Sequence, residues 1–162
     1  MAHRGRCVLL RMAHRAGLLI PNNCMYLFNG GVINGITWTG GAQGFSSYEI
    51  STVIGCRAYI WNGETGTGSA SVIAYADLRD FSQLHFRVTA QKTVAGTAPN
   101  IRVYPNYVSL QSSAPYEAVY DLSAIPDLSN VMIMIQSGHI TKSTTSGVID
   151  AQISVSQVWA TR

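Results

Sequence analysis

The fold class this sequence predicts is an all-β, antiparallel sandwich of two sheets, and three observations predict it. First, apolar residues make up 47% of the 162 residues and charged residues only 12%, about half the usual charged share. Gly, Ser and Thr are abundant, and long runs of helix formers are absent. Second, apolar and polar residues alternate over short segments bounded by turn residues, as in strands buried on one side. Third, one local pattern occurs twice. Asp77-Leu78 and Asp121-Leu122 are each followed by a polar loop with one apolar anchor, Phe81 or Ile125, and then by an apolar strand. Two such units predict two sheets built alike and packed face to face. The length predicts one domain with room for a real core.

Residues 1–24 stand apart as an N-terminal arm. They contain MAHR twice and carry Arg4, Arg6, Arg11 and Arg15 without an acid. The arginines interrupt the apolar runs, which argues against a signal peptide. A docking arm, a flexible leader, and sequence ahead of a start at Met25 all fit. Any helix is expected before the Pro21-Asn22-Asn23 turn.

The sandwich domain spans residues 25–162. Tyr26–Phe28 meets the turn Asn29-Gly30-Gly31, and Val32–Trp38 continues as a strand to a turn at Thr39-Gly40-Gly41. Ser47–Val53, Cys56–Trp61 and Ala70–Ala76 read as further strands. In Leu84–Ala90, Leu84, Phe86, Val88 and Ala90 share one face, and His85, Arg87 and Thr89 share the other. After the loop Thr93–Asn100 come Ile101–Tyr104 and Tyr107–Leu110, the latter expected to pair with Tyr116–Tyr120. Val131–Gln136 and Val148–Trp159 close the chain. Alternation in the last run places Ile149, Ala151, Ile153, Val155 and Trp159 on one face. Nine or ten short strands at regular spacing predict a sandwich of jelly-roll type.

The formal charge of +3 belongs to the arm. Beyond residue 24, seven Lys and Arg stand against eight Asp and Glu, beginning at Glu49. A body this close to neutral lacks the basic face of a nucleic-acid-binding domain, so nucleic acid is expected only through the arm. The three cysteines, Cys7, Cys24 and Cys56, are odd in number and widely spaced. That predicts no disulfide framework and synthesis in a reducing cytoplasm. The histidines are scattered, so no metal site and no cofactor are expected. No apolar run approaches the ~18 residues that span a membrane.

Several motifs carry a resemblance. Tyr26-Leu27-Phe28-Asn29-Gly30-Gly31 followed by Trp38-Thr39-Gly40-Gly41, the two Asp-Leu units, and the closing Ile153–Thr161 are similar to segments of modules in tailed-bacteriophage structural proteins. The resemblance covers most of Met25–Thr161. It implies a lectin-like or carbohydrate-module-like jelly roll built into a virion, with other virion subunits as partners. It brings no catalytic or ligand-binding motif, and the arginine-rich arm departs from it.

The residues themselves point away from catalysis. G-x-S-x-G is absent, and the histidines lack the neighbours a nucleophile's base needs. Asp77, Asp80, Asp121 and Asp127 sit in turn contexts, where Asp side chains bond nearby backbone N–H groups. Gly63–Gly68 lacks the ending of a phosphate loop. Two kinds of surface remain. For glycan binding, exposed rings with amides nearby would serve, and Trp61, Tyr104, Tyr107 and Tyr116 are the candidates. For assembly, Val131, Ile133 and Ile135 point one way and Met132 and Met134 the other, so both faces of one strand are apolar. An ordinary solvated strand would be polar there. Met132 and Met134, with Arg4, Arg6, Arg11 and Arg15, are the expected interface residues of a homo-oligomer. The expectation is a non-catalytic structural module of a virion, with a carbohydrate-binding adhesion module as the alternative.

Overall fold

The computed structural model describes residues 24–92, 98–104, 106–109 and 115–162, with the backbone alone for Lys92 and residues 106–109. Twelve strands are found among them: β1 (Cys24–Asn29), β2 (Val32–Ile33), β3 (Thr39–Gly44), β4 (Ser46–Ile50), β5 (Ile54–Ile60), β6 (Gly66–Ala76), β7 (Gln83–Lys92), β8 (Asn100–Val103), β9 (Asn106–Ser109), β10 (Tyr116–Asp121), β11 (Val131–Lys142) and β12 (Ile149–Thr161). One short 3-10 turn, Leu122–Ala124, lies between β10 and β11. Every pairing is antiparallel.

The strands form two sheets, one of seven strands and one of five. In the larger sheet β12 is central. One of its edges is taken by β7, which is flanked in turn by β10. The other edge is shared, β5 covering Ile149–Val155 and β1 covering Gln157–Thr161. The smaller sheet runs β3-β6-β11-β8-β9. Between the sheets lies the core, where Phe28, Leu84, Phe86 and Val158 from one side meet Val72, Ile101, Ile133 and Ile135 from the other. Each such side chain contributes roughly 1.5–3 kcal/mol by leaving water. Hydrogen bonds also join the sheets across the buried core. The Cys56 thiol donates to the Ile135 carbonyl at 3.4 Å, and the Tyr120 hydroxyl to that of Ile101 at 2.9 Å.

The Asp-Leu units form two of the crossovers between the sheets, linking β6 to β7 and β10 to β11. Asp77 Oδ1 accepts from the Arg79 N–H, and Asp121 Oδ1 from the Ser123 N–H. Each leucine is fully buried, and its carbonyl accepts from its anchor three residues on, Phe81 or Ile125, at 3.0 Å in both units. The repeated sequence thus makes a repeated corner.

Three local expectations are corrected. The strand expected over Val32–Trp38 stops at Ile33, because Gly35 turns the chain with φ +71° and Asn34 Nδ2 donates to the Tyr26 carbonyl. Thr39–Gly41 is not a turn but the start of β3. A Cβ on Gly40 would lie 2.1 Å from the Tyr48 ring, so glycine serves close packing there. Segment Asn106–Ser109 pairs with β8, while Tyr116–Asp121 pairs with β7 in the other sheet. Cys24, moreover, is disulfide-bonded, which the thin cysteine usage did not predict.

Bulges explain where alternation misleads. A register shift between Val155 and Gln157 in β12 reverses the faces. Val158 and Ala160 point inward instead, and Trp159 turns outward, against the simple alternation. It is still largely covered, stacked on His85 at 5.0 Å and flanked by Tyr26 at 6.2 Å. In β11 a shift after Gln136 is made possible by Gly138 at φ +84°. Buried Ser137 satisfies the irregular backbone, accepting from the Ala70 N–H at 3.0 Å and donating to the Gly138 carbonyl at 2.9 Å.

Candidate functional site

The outer face of the seven-stranded sheet carries the candidate site, built on β5, β12 and β7. Outward positions of β5 put Arg57, Tyr59 and then Trp61 in one line. Trp61 is 60% exposed. Tyr59 meets it edge-on, with ring centroids 4.3 Å apart and planes at 69°. The Arg57 guanidinium lies over the Tyr59 ring at 4.4 Å. It is fixed there by a bidentate pair with Asp150, Nε to Oδ1 at 3.0 Å and Nη2 to Oδ2 at 2.9 Å. The Asp150 hydrogen bond, more than the charge alone, raises the Arg57 pKa above its ordinary value.

Register extends the face sideways. Arg57 stands opposite Gln152, and Gln152 opposite Gln91; the next row pairs Ser154 with Thr89. Together these four polar residues line a shallow recess of about 200 Å³. One strip therefore holds a stacking ring, two amides and two hydroxyls.

Trp61 is held from behind. Lys142, 4% exposed, donates its ammonium to the carbonyls of Trp61 at 2.6 Å, Glu64 at 2.8 Å and Thr145 at 3.2 Å. The Gly63 N–H donates to the Thr145 carbonyl and the Gly147 N–H to Asn62 Oδ1 at 2.8 Å. The loops after β5 and β11 are thereby joined into one unit, which presents an exposed indole on a constrained backbone. Lysine 142 was not singled out from the sequence. At the end of a β-strand it looks like any solvated lysine, and only the inward register after the β11 bulge reveals it.

The other predicted residues do not all converge. Tyr104 is 62% exposed, but its N–H donates to the Met132 carbonyl, at the start of β11. Trp61 contacts Lys142 at the strand's far end, about 30 Å away at ~3.3 Å per residue. Tyr116 is half-buried on β10, where burial raises its phenol pKa. The side chain of Tyr107 lies outside the described residues. Of the three candidate rings whose side chains are described, Trp61 alone lies in the aromatic and amide strip.

Met132 and Met134 do sit on the outer face of the five-stranded sheet, half-buried, while Val131, Ile133 and Ile135 are in the core. Met132 is opposite Tyr75 and Met134 opposite Ile73. Arg4, Arg6, Arg11 and Arg15 lie outside the described residues, as does the rest of the arm apart from Cys24, which opens β1.

His85 departs from the isolated residue the sequence implied. Its Nδ1 is 2.8 Å from Glu117 Oε1 and its Nε2 is 2.9 Å from Thr161 Oγ1. Carboxylate, imidazole and hydroxyl come from three adjacent strands, β10, β7 and β12, and the imidazole covers outward-facing Trp159. Both ring nitrogens are engaged in joining those strands. The carboxylates weighed for acid–base chemistry form turns instead. Asp77, Asp121 and Asp127 have lowered pKa values, caused first by hydrogen bonds from Arg79, Ser123 and Ser129 respectively. No group of three or more His, Cys, Asp and Glu placed to hold a metal occurs among the described residues. No helix there is long and apolar enough to cross a membrane.

Comparison of the sequence with family models and with curated proteins finds no match. Among solved structures, the chain is similar to a family two carbohydrate esterase from Cellvibrio japonicus, with TM-score 0.35 and 12% identity. The match covers 86% of this chain and 33% of the esterase, so the chain spans about a third of that protein's length. A likeness of that degree bears on neither the fold nor the function of this chain.

Proposed function

We propose that this domain is a non-catalytic carbohydrate-binding module, with its glycan held on the outer face of the seven-stranded sheet. The observation that carries the reading is Trp61, 60% exposed yet fixed through its carbonyl to buried Lys142. A large ring left in water costs free energy unless a ligand covers it. A constrained backbone also lowers the ordering cost of binding. A pyranose can lay its C–H face on the indole while the hydroxyls of the sugars that follow it, two rows along the strip at ~6.6 Å per row, exchange hydrogen bonds with Gln152 and Gln91. The direct test is a glycan array followed by calorimetry with wild type and Trp61→Ala. The expected result is at least a tenfold loss of affinity in the variant, with an unchanged melting temperature. Equal binding by the two proteins would overturn the reading.

A second reading has its own support, on the opposite sheet. Tyr75 is 54% exposed beside Met132, and a groove of about 700 Å³ runs along Ile36, Thr39, Ser71, Ile73 and Tyr75. Apolar side chains grouped on an outer face, here with Arg102 opposite Met134, suit burial against another subunit. We propose it as the assembly contact of a virion module of jelly-roll type, the role implied by the resemblance to tailed-phage structural proteins. The two readings are compatible, since they use opposite faces. Met132→Lys combined with Met134→Lys should give a folded monomer by light scattering from an oligomeric wild type. A wild type already monomeric at high concentration would remove the homo-oligomeric form of this reading.

A further inference from the structure

We infer that the ligand of the Trp61 face is a neutral glycan bound as a single chain from solution, and neither an acidic polysaccharide nor the flat surface of a crystalline one. The inference rests on the glycan-binding reading above and names the class of ligand for the same site.

Charge decides the first half. An acidic glycan needs cations whose charge is not already balanced. The guanidinium in the strip, Arg57, has its charge paired with both Asp150 oxygens and lies against the Tyr59 ring. The ammonium nearest Trp61, that of Lys142, points inward onto three loop carbonyls. The exposed charges that flank the strip are carboxylates. Glu64 is in the loop that follows Trp61, and Glu49 stands across from Gly55 in register. The next outward guanidinium, Arg87, is four residues along β7 from Gln91, about 13 Å away, and stands directly opposite Glu117. Among the described side chains, a uronate or sulfated chain laid on Trp61 would meet carboxylates before it met a cation with an unbalanced charge. Hydroxyls meet amides, which both donate and accept.

Ring geometry decides the second half. A crystalline polysaccharide presents a plane and is matched by several coplanar rings. Here Tyr59 and Trp61 are 69° apart, and one face of Tyr59 is occupied by Arg57. A single indole therefore stacks a single sugar. The rest of the ligand follows the strip past Gln152 and Gln91 to Ser154 and Thr89. Three outward rows from Trp61 at ~6.6 Å each give about 20 Å, the length of a short oligosaccharide.

The experiment uses the full chain and two kinds of probe. Calorimetry would measure neutral hexaoses (cello-, manno-, xylo- and N-acetylchito-hexaose) and the acidic chains polygalacturonate, alginate and heparin, each at 50 and 500 mM NaCl. Sedimentation would measure uptake on microcrystalline cellulose and chitin. Trp61→Ala and Gln152→Ala would be run alongside wild type. The expected result is binding of at least one neutral hexaose, less than twofold dependence on salt, and at least a fivefold loss in each variant. Preferred binding of an acidic chain that weakens steeply with salt would overturn the inference. So would uptake on crystalline polymer without binding of any soluble hexaose. In both cases a loss in Trp61→Ala would leave the glycan-binding reading standing. Absence of binding to every probe would overturn the reading and the inference together.

Discussion

Replacing Lys142 with Met tests the support beneath Trp61 directly. The substitution keeps the buried stem and removes the ammonium, which donates to three backbone carbonyls at 2.6, 2.8 and 3.2 Å. A hydrogen bond from a charged group is worth about 1.5–3 kcal/mol. Three of them would sum to roughly 5–9 kcal/mol if independent, but they share one buried ammonium and are not additive. Set against the cost of withdrawing the ammonium from water, the net loss is about 2–4 kcal/mol of stability. At roughly 4 °C per kcal/mol for a domain of this size, the melting temperature should fall by about 8–16 °C. Urea denaturation followed by tryptophan fluorescence measures the loss. Native-state hydrogen exchange locates it, since the Gly63 and Gly147 amides that bond across the two loops should lose protection first. A destabilisation below about 0.5 kcal/mol, with protection of those amides intact, would refute the role given to Lys142. It would also remove the reason for treating Trp61 as preorganised.

Burial pushes the Cys56 thiol up to about 12, so in the native protein at pH 8 iodoacetamide should leave it unmodified, and mass spectrometry should find it alkylated only after unfolding. Truncating Ile135, fully buried between the sheets, to Ala should cost about 2–5 kcal/mol in a urea melt; a cost under 1 kcal/mol would contradict the packing described. Asp77, Asp121 and Asp127 have pKa values below that of the unfolded chain. Their contribution to stability is therefore complete above about pH 4 and is lost as pH falls through the folded values. Asp127→Asn should accordingly flatten the decline of stability between pH 4 and pH 2, and an unchanged decline would exclude Asp127 from it.

Legibility in the sequence followed the range of the interaction. The two sheets, their antiparallel strands and the corners were readable because each is set locally. Period-two alternation fixes the buried face of β7, and Asp77 and Asp121 bond backbone two residues away. Where pairing partners are distant, the sequence was silent. Nothing near Tyr107 or Tyr116 says that their strands enter different sheets. The faces of β11 and β12 were readable up to the bulges and reversed beyond them, which is how Trp159 came to be placed inward and Lys142 to be overlooked. Trp61 was identifiable as a ring before a polar loop. Its neighbours Arg57, Asp150, Gln152 and Gln91 come together only through the β5-β12-β7 register.

The low charge of the body acquires a physical meaning once the partners are known. Arg57 is held by Asp150, Arg79 by Asp77, and the charge of Lys142 is turned onto loop carbonyls. Glu117 reaches His85 from the neighbouring strand. Each of these charges braces a local junction between strands or within a loop, at hydrogen-bond distance. What remains on the outer faces, beside a few exposed charges such as Glu49, Glu64 and Arg87, is mostly hydroxyls, amides and rings, including Trp61 and Tyr75. Recognition by such groups acts over contact distances and is little affected by salt, whereas steering by uncommitted charge acts over about a Debye length and fades with it. A surface built this way selects ligands by shape and hydrogen bonding after encounter. That is the mode of recognition the proposed neutral glycan would require, and the proposed subunit contact around Met132 and Met134 uses different groups.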